Sequence, residues 1–174
     1  ILLCSCRQKN ESKKASNQLN STQIPTCAPE VTDKLWYASG KKAPLLSGLA
    51  GIHYAVSTKN TEAQQYFDQG LMLSFGFNHA EAGRSFYEAA RQDSTCAMCW
   101  LGFAYVLGPN YNGGMEPDNF TRAYDATQKA KSFSVSSTPK EKDLIEALTY
   151  RYTNDTTVAR SVLDSSYTAA MRKV

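Results

Sequence analysis

The sequence predicts an all-α fold in which helical hairpins stack on one another, and three observations lead to this prediction. From about Thr61 onward, apolar and small residues recur at helical spacing, with turn residues between the sets. The order of large and small residues then repeats after 34 positions. Small residues also stand where the two helices of a hairpin have to approach each other. Since one thin hairpin cannot bury its own apolar stripe, stability has to come from stacking.

The repeat is carried by two kinds of helix. In the first kind, a large, a small and a large residue follow at steps of four and three: Tyr66, Gly70 and Leu73, and one period later Trp100, Ala104 and Leu107. In the second kind, two alanines flank a larger residue: Ala82, Phe86 and Ala89, and after a longer interval Ala123, Thr127 and Ala130. The seven extra residues of the second unit lie in the loop GPNYNGGMEPDNF. We expect five large residues to hold the stack: Tyr66, Leu73, Phe86, Trp100 and Leu107.

A third unit is fainter. Two alanines again stand at the interval that separates Gly70 from Ala82, and a leucine and a serine follow them: Ala147, Ala159, Leu163 and Ser166. The stretch TPKE, residues 138–141, opens this unit with the spacing of a capping box and a proline at the first helical position. The predicted units are therefore 61–96, 97–137 and 138–174.

The part of the chain before the repeats is predicted to be irregular. Prolines and glycines interrupt residues 24–60, so we expect a lead-in with only a short helix around residues 31–38. Residues 1–23 are predicted to be a signal remnant followed by a flexible tether. The tether, RQKNESKKASNQLNSTQ (residues 7–23), has too few apolar groups to offset the entropy of ordering.

The first six residues, ILLCSC, are apolar and differ from the tether that follows. They resemble the end of a bacterial lipoprotein signal, in which Leu3-Cys4-Ser5-Cys6 is the lipid-attachment box and Cys6 carries the lipid. The alternative is a chance apolar hexapeptide. Because the chain opens on Ile1 and closes inside a predicted helix, we expect a fragment of a longer protein.

The charge distribution bears on the class of partner. The formal net charge of +3 comes from residues 1–23, which hold four basic residues and one acidic residue; the rest of the chain is neutral, with fifteen of each. A neutral body lacks the basic face that nucleic acid requires, so nucleic acid is not expected as a partner. The sequence contains no apolar run long enough to predict a membrane-spanning helix.

The first unit also resembles a known family. The string AQQYFDQGLMLSFGFNHAEAGRSFYEAARQDS resembles the tetratricopeptide repeat (TPR), although Ser94 stands where that repeat usually has proline. The resemblance implies a right-handed solenoid of about three repeats with a partner-binding groove. A narrower set of strings, including HYAVSTKN, CAMCW and LGPNYN, resembles the N-terminal part of exported bacterial TPR lipoproteins, and implies further repeats downstream.

Cys96 and Cys99 are the most conspicuous candidate site, and three interpretations are open. They fall at the turn before a predicted helix, where small thiols pack well with or without a local disulfide. A redox pair is the second interpretation, because a thiol near a helix N-terminus has a lowered pKa. A metal site is the third, but His53 and His79 are the only histidines, and neither has a paired spacing. Both histidines are expected to be structural and hydrogen-bonded. Haem attachment is disfavoured because Trp100, not histidine, follows Cys99.

The predicted function is non-catalytic, with no cofactor and no metal: a scaffold of the bacterial cell envelope, anchored through Cys6, that binds a protein or peptide in its groove. Exposed positions of the first helices and of the inserted loop are the candidate binding residues: Gln65, Gln69, Met72, Tyr105, Asn110, Tyr111 and Asn112. One alternative is a glycan- or nutrient-binding surface lipoprotein that uses the aromatic side chains of the loop. Another is a thiol redox protein that uses Cys96 and Cys99.

Overall fold

A computed structural model describes residues 33–49, 51–111 and 113–174, and these residues form seven α-helices and no β-strand. The helices are α1 (Asp33–Ala38), α2 (Thr61–Phe75), α3 (His79–Gln92), α4 (Ala97–Leu107), α5 (Asn119–Phe133), α6 (Pro139–Thr149) and α7 (Arg160–Met171), with a 3₁₀ turn at Ser134–Ser136. The predicted all-α class is confirmed for this part of the chain. The predicted tether and Cys6 lie outside the described residues.

Local sequence signals set the helix starts. The side chain of Asn60 accepts a hydrogen bond from the Ala63 N–H at 3.0 Å and so caps α2. Thr138 and Glu141 form the predicted reciprocal capping box at the start of α6, with proline as the first helical residue. The turn between α2 and α3 contains Phe77 at φ 58°, a left-handed conformation that non-glycine residues seldom adopt.

Each helix from α2 to α7 packs against the next one in the chain, and α4 also contacts both α2 and α6. The short connections between α2 and α3, between α3 and α4 and between α5 and α6 make these neighbours antiparallel. The five residues expected to hold the stack are all buried: Tyr66, Leu73, Phe86, Trp100 and Leu107. α4 is therefore the central helix of the packed core.

Phe86 of α3 joins two other helices. Its ring lies so close to Gly70 of α2 and Gly102 of α4 that a Cβ atom at these glycines would be 2.8 Å and 2.5 Å from it. Glycine is thus needed at both positions because the backbone itself forms the wall around the ring. The side chain is only 1% exposed.

The lead-in docks on this core through its short helix, close to the predicted residues 31–38. The ring of Tyr37 packs edge-on against Tyr87 and Phe103, with centroids 5.0 Å and 5.2 Å away. The Arg122 guanidinium lies 4.8 Å from the centre of the same ring. α1 is thereby tied to helices α3, α4 and α5.

The predicted register of the third unit is wrong in its second helix. Ala159 is exposed and serves as the N-cap of α7, so it does not lie inside a helix as its counterpart Ala82 does. Leu163 and Ser166 are half-buried, and it is Tyr167 that packs against the core. The physical reason is the loop before α7, where Asp155 accepts hydrogen bonds from the N–H and hydroxyl of Thr157 and holds the chain in a turn.

Candidate functional site

α4 has a single stripe that reaches solvent. All of its residues are buried except Leu101, which is half-buried, and Tyr105, which is 48% exposed. The two stand four residues apart and share one face of the helix. We refer to Leu101 and Tyr105 as the α4 stripe. Because α4 contacts both α2 and α6, this apolar stripe lies on the central helix of the fold.

Residues 53–57 of the lead-in lie against side chains of α2 and α6. Exposure alternates along these residues: His53 and Ala55 are exposed, Tyr54 is half-buried and Val56 is buried. This alternation is that of an extended chain lying on a surface. We refer to residues 53–57 as the docked segment.

On the α2 side, polar side chains hold the backbone of the docked segment. The Tyr54 N–H donates to Asp68 Oδ1 at 3.1 Å, and the Val56 N–H donates to Gln64 Oε1 at 3.0 Å. Gln64 Nε2 donates in turn to the Tyr54 carbonyl at 2.9 Å. Gln64 therefore satisfies one donor and one acceptor of the docked segment, as a neighbouring strand would.

On the α6 side, Glu141 holds the end of the docked segment. The Ser57 N–H donates to Glu141 Oε1 at 2.7 Å, and the Ser57 hydroxyl donates to Oε2. Lys140 Nζ lies 5.7 Å from the centre of the Tyr54 ring. The docked segment is therefore anchored to α2 and to α6, the two helices that both contact α4.

The Glu141 carboxylate is ionised to serve these donors. Burial alone would raise its pKa, but hydrogen bonds from Ser57 and Thr138 outweigh this effect and hold the pKa of Glu141 below its usual value. The side chain therefore accepts from Ser57 and from the Thr138 N–H, which is 2.7 Å from Oε2. One carboxylate thus joins the docked segment to the capping box of α6.

Arg151 lies at the opposite end of the α4 stripe. Its guanidinium donates to the carbonyls of Tyr105 and Pro109 at 3.3 Å and 2.5 Å, just where α4 ends. A cation at the carboxyl end of a helix is stabilised by the helix dipole. The guanidinium also lies 5.4 Å from the centre of the Tyr105 ring and 5.1 Å from that of Tyr167. Tyr105 is thereby held by a buried residue while half of its surface remains exposed.

The structure separates the predicted binding residues of α2 from Tyr105. Gln65 is exposed and Met72 is half-buried, and both lie on α2. Gln69, expected to be exposed, is only 7% exposed. Its amide donates to the Pro44 carbonyl and accepts from the Leu46 N–H, so it fastens the lead-in and does not line a groove. Of the predicted helix positions, Tyr105 alone lies on the α4 stripe.

The inserted loop between α4 and α5 presents the other predicted residues. Asn110 is exposed and pairs with Gly113 through an isolated β-bridge. Tyr111 is 97% exposed at the tip of this loop, and Asn112 lies outside the described residues. The loop therefore offers one fully exposed aromatic ring to solvent.

Cys96 and Cys99 are joined by a disulfide with a Cα–Cα distance of 5.4 Å, within the usual range. Both residues are 0% exposed. Cys96 is also the N-cap of α4, and its sulfur accepts from the Cys99 N–H at 3.2 Å. The pair is built into the base of the central helix, where a large substrate cannot reach either sulfur.

We expect both thiols, once reduced, to resist alkylation in the folded protein. Reaction has to wait for local opening, so labelling by N-ethylmaleimide should be at least roughly 100-fold slower than in denaturant. Peptide mapping by mass spectrometry after mild reduction measures the rate at each cysteine. Equally fast labelling in the folded and unfolded states would favour the redox interpretation.

The two histidines have different surroundings. His53 Nδ1 lies 2.8 Å from Asp68 Oδ2, so the expectation of a hydrogen-bonded histidine holds there. It is wrong for His79, whose ring nitrogens are buried without a hydrogen-bonding partner among the described residues. Burial lowers the pKa of His79, which favours the neutral ring at the start of α3.

The sequence did not predict the contacts that four side chains make at this surface: Gln64, Asp68, Glu141 and Arg151. No local pattern in the sequence sets Asp68 apart from an ordinary solvent-facing carboxylate of a helix. The contact between Ser57 and Glu141 joins residues 84 positions apart, so no short window of sequence contains both partners. Their role follows only from the path of the docked segment.

Within residues 33–49, 51–111 and 113–174, no three histidine, cysteine, aspartate or glutamate residues are grouped so that they could hold a metal ion. No helix in the same part of the chain is both long and apolar enough to cross a membrane. Comparisons with protein-family models, with curated proteins and with solved structures find no match to this chain.

Proposed function

We propose that the chain is a non-catalytic scaffold of TPR-like hairpins, stacked in a right-handed solenoid, that binds a protein partner at the bacterial cell envelope. The observation that carries the proposal is the α4 stripe, because a leucine and a half-exposed tyrosine remain accessible on an otherwise buried central helix. The proposed envelope location and the lipid anchor at Cys6 rest on the sequence.

Similar side-chain contacts in the first two hairpins support the repeat interpretation. Tyr66 and Trp100 stand one period apart in the sequence, and each donates a side-chain hydrogen bond of 2.8 Å to a backbone carbonyl before its own helix, Tyr66 to Ala43 and Trp100 to Ser94. The alanines of the second helices are all fully buried: Ala82, Ala89, Ala123 and Ala130. Small residues at these places allow close approach of the helices in both hairpins.

The chemistry of the α4 stripe favours a protein partner. Tyrosine is enriched at the energetic centres of protein interfaces, since its ring buries much area and its hydroxyl finds a partner at the rim. Tyr105 is also held by Arg151, so little conformational freedom is lost when a partner covers it.

The proposal predicts that Tyr105→Ala weakens binding of the partner. A photo-crosslinking amino acid at position 105 should capture the partner from a bacterial envelope fraction, and affinity should fall roughly 10- to 100-fold in Tyr105→Ala. Phe120 is the matched control, because it is also 48% exposed but lies on α5. Crosslinks at positions 105 and 120 in equal yield, or equal effects of the two alanine variants, would contradict the proposal.

A glycan-binding surface is the second candidate function, and the exposure of Tyr111 favours it. Its ring is 97% exposed on a loop rich in asparagine and glycine, so one face is free to stack on a sugar. Single variants distinguish the two candidate functions. If Tyr111→Ala loses glycan binding while a crosslinker at position 105 still captures the partner, the loop binds glycan and the α4 stripe binds protein.

A further inference from the structure

We propose that the docked segment, residues 53–57, is an internal ligand of the partner-binding surface, and that an extended peptide of the partner takes its place. The inference rests on the proposed function, because α2 and α6, which hold the docked segment, both contact the helix that carries the α4 stripe. It adds the class of ligand, the sequence pattern of that ligand, and a competition between the docked segment and the partner's peptide for the same site.

The docked segment is held as a bound peptide is held. Its N–H groups donate to side chains of Asp68, Gln64 and Glu141, and Gln64 also donates to its Tyr54 carbonyl. These acceptors meet backbone groups that every extended peptide carries. A peptide from another chain can therefore form the same four hydrogen bonds without any change of the helices.

The side chains of the docked segment define what such a peptide needs. The Tyr54 ring lies 6.4 Å from that of Phe67 and 5.7 Å from Lys140 Nζ, so an aromatic residue fits this place. Val56 is 9% exposed, which calls for an aliphatic residue two positions later. The Ser57 hydroxyl donates to Glu141, which calls for serine or threonine next. The expected pattern is aromatic, any residue, aliphatic, serine or threonine.

The chain beyond the docked segment is fastened separately. The Thr58 hydroxyl donates to Asp93 Oδ2, and Asn60 Nδ2 donates to the Gln92 carbonyl at 2.8 Å. Release of residues 53–57 therefore leaves the start of α2 capped and anchored to α3. Val56 is buried and Tyr54 is half-buried against the core, and an incoming peptide with equivalent side chains restores this apolar burial on exchange.

Binding of the segment's own sequence, supplied as a separate peptide, tests the inference. The probe is a fluorescent peptide of residues 51–58, GIHYAVST, added to the full chain and followed by anisotropy. In the wild type the docked segment competes, so the apparent affinity is reduced by the fraction of molecules in which it is released. A Tyr54→Ala/Val56→Ala variant should bind the probe at least about 10-fold more tightly than the wild type.

Two controls define the site of binding. We refer to Tyr54→Ala/Val56→Ala as the segment variant. Adding Gln64→Ala to it should abolish its increase in affinity for the probe peptide, and a scrambled peptide should not bind. Equal affinity of wild type and segment variant, or no binding to a segment variant that retains its helical circular dichroism, would overturn the inference. Either result leaves the crosslinking at position 105 unaffected, so failure here is distinct from failure of the proposed function.

Hydrogen exchange of the unaltered chain provides a second test that needs no variant. If residues 53–57 are released by local opening, the N–H groups of Tyr54, Val56 and Ser57 should exchange at least about 10-fold faster than those of Phe103 and Ala104 in α4. The same protection at both places would show that the docked segment is an integral part of the core, and the inference would be wrong.

Discussion

Replacing Phe86 by alanine should lower the free energy of unfolding by about 3–5 kcal/mol, the largest loss that we expect from a single substitution. The ring is 1% exposed and lies between α2 and α4, so its removal leaves a cavity that rigid helix backbones cannot close. A domain is typically stable by roughly 5–15 kcal/mol, so the variant should unfold at much lower urea concentration. Far-ultraviolet circular dichroism, which reports helix content, measures the transition.

Phe77→Ala is the matched control, because Phe77 is 61% exposed in the turn between α2 and α3. We expect it to change stability by less than about 0.5 kcal/mol. A loss at Phe77 as large as that at Phe86 would mean that burial between the two glycines is not what makes the ring important.

Gly102 tests the same contact from the other side. A Cβ at this position would lie 2.5 Å from the Phe86 ring, so Gly102→Ala should destabilise the fold by about 1–3 kcal/mol. In a Phe86→Leu background, where the ring is absent, the same change should cost less. The coupling in this double-mutant cycle should be about 0.5–3 kcal/mol; additivity would contradict direct contact.

These helices were predictable because their signals are local. The spacing of Tyr66, Gly70 and Leu73, and of Ala82 and Phe86, records which face of each helix meets its neighbours, and these residues are all buried. The capping box of α6 likewise lies within four consecutive residues. A helix or a cap could be predicted from the sequence when the residues that determine it lie within one or two helical turns of each other.

The errors come from contacts between residues far apart in the chain. Gln69 has the polar side chain of a surface residue, yet the lead-in covers it and uses its amide. The start of α7 depends on a loop that is anchored to α4, where the Tyr152 hydroxyl donates to the Ala104 carbonyl at 2.6 Å. Neither effect leaves a periodic pattern, because the path of an irregular segment is set by its partners.

The second large effect is expected at Glu141, whose carboxylate serves three donors: the Ser57 N–H, the Ser57 hydroxyl and the Thr138 N–H. Glu141→Ala leaves these groups without their acceptor and removes half of a capping box. The residue is 3% exposed, so water cannot fully replace the carboxylate. We expect a loss of about 2–4 kcal/mol in the free energy of unfolding, measured by urea titration at neutral pH.

The same carboxylate should make the fold sensitive to acid. The pKa of Glu141 is lower in the folded protein than its ordinary value of 4.5, so the unfolded chain binds more protons as the pH falls. The stabilisation is fully present above pH 4.5 and is lost as the pH falls through the lower pKa of the folded state. Asp93, whose pKa is also lowered, against the effect of burial, by hydrogen bonds from Thr58 and Thr95, adds to the loss in the same direction.

Glu141→Gln separates the charge from the shape of the side chain. The free energy of unfolding of Glu141→Gln should fall less steeply with acid than that of the wild type. The reason is that the variant lacks the Glu141 contribution and keeps that of Asp93. Glu146→Gln is the control: this residue lies on the same helix with 54% of its side chain exposed, in a surface ion pair with Lys131. Parallel pH profiles for wild type and Glu141→Gln would show that the carboxylate does not hold the docked segment through its charge.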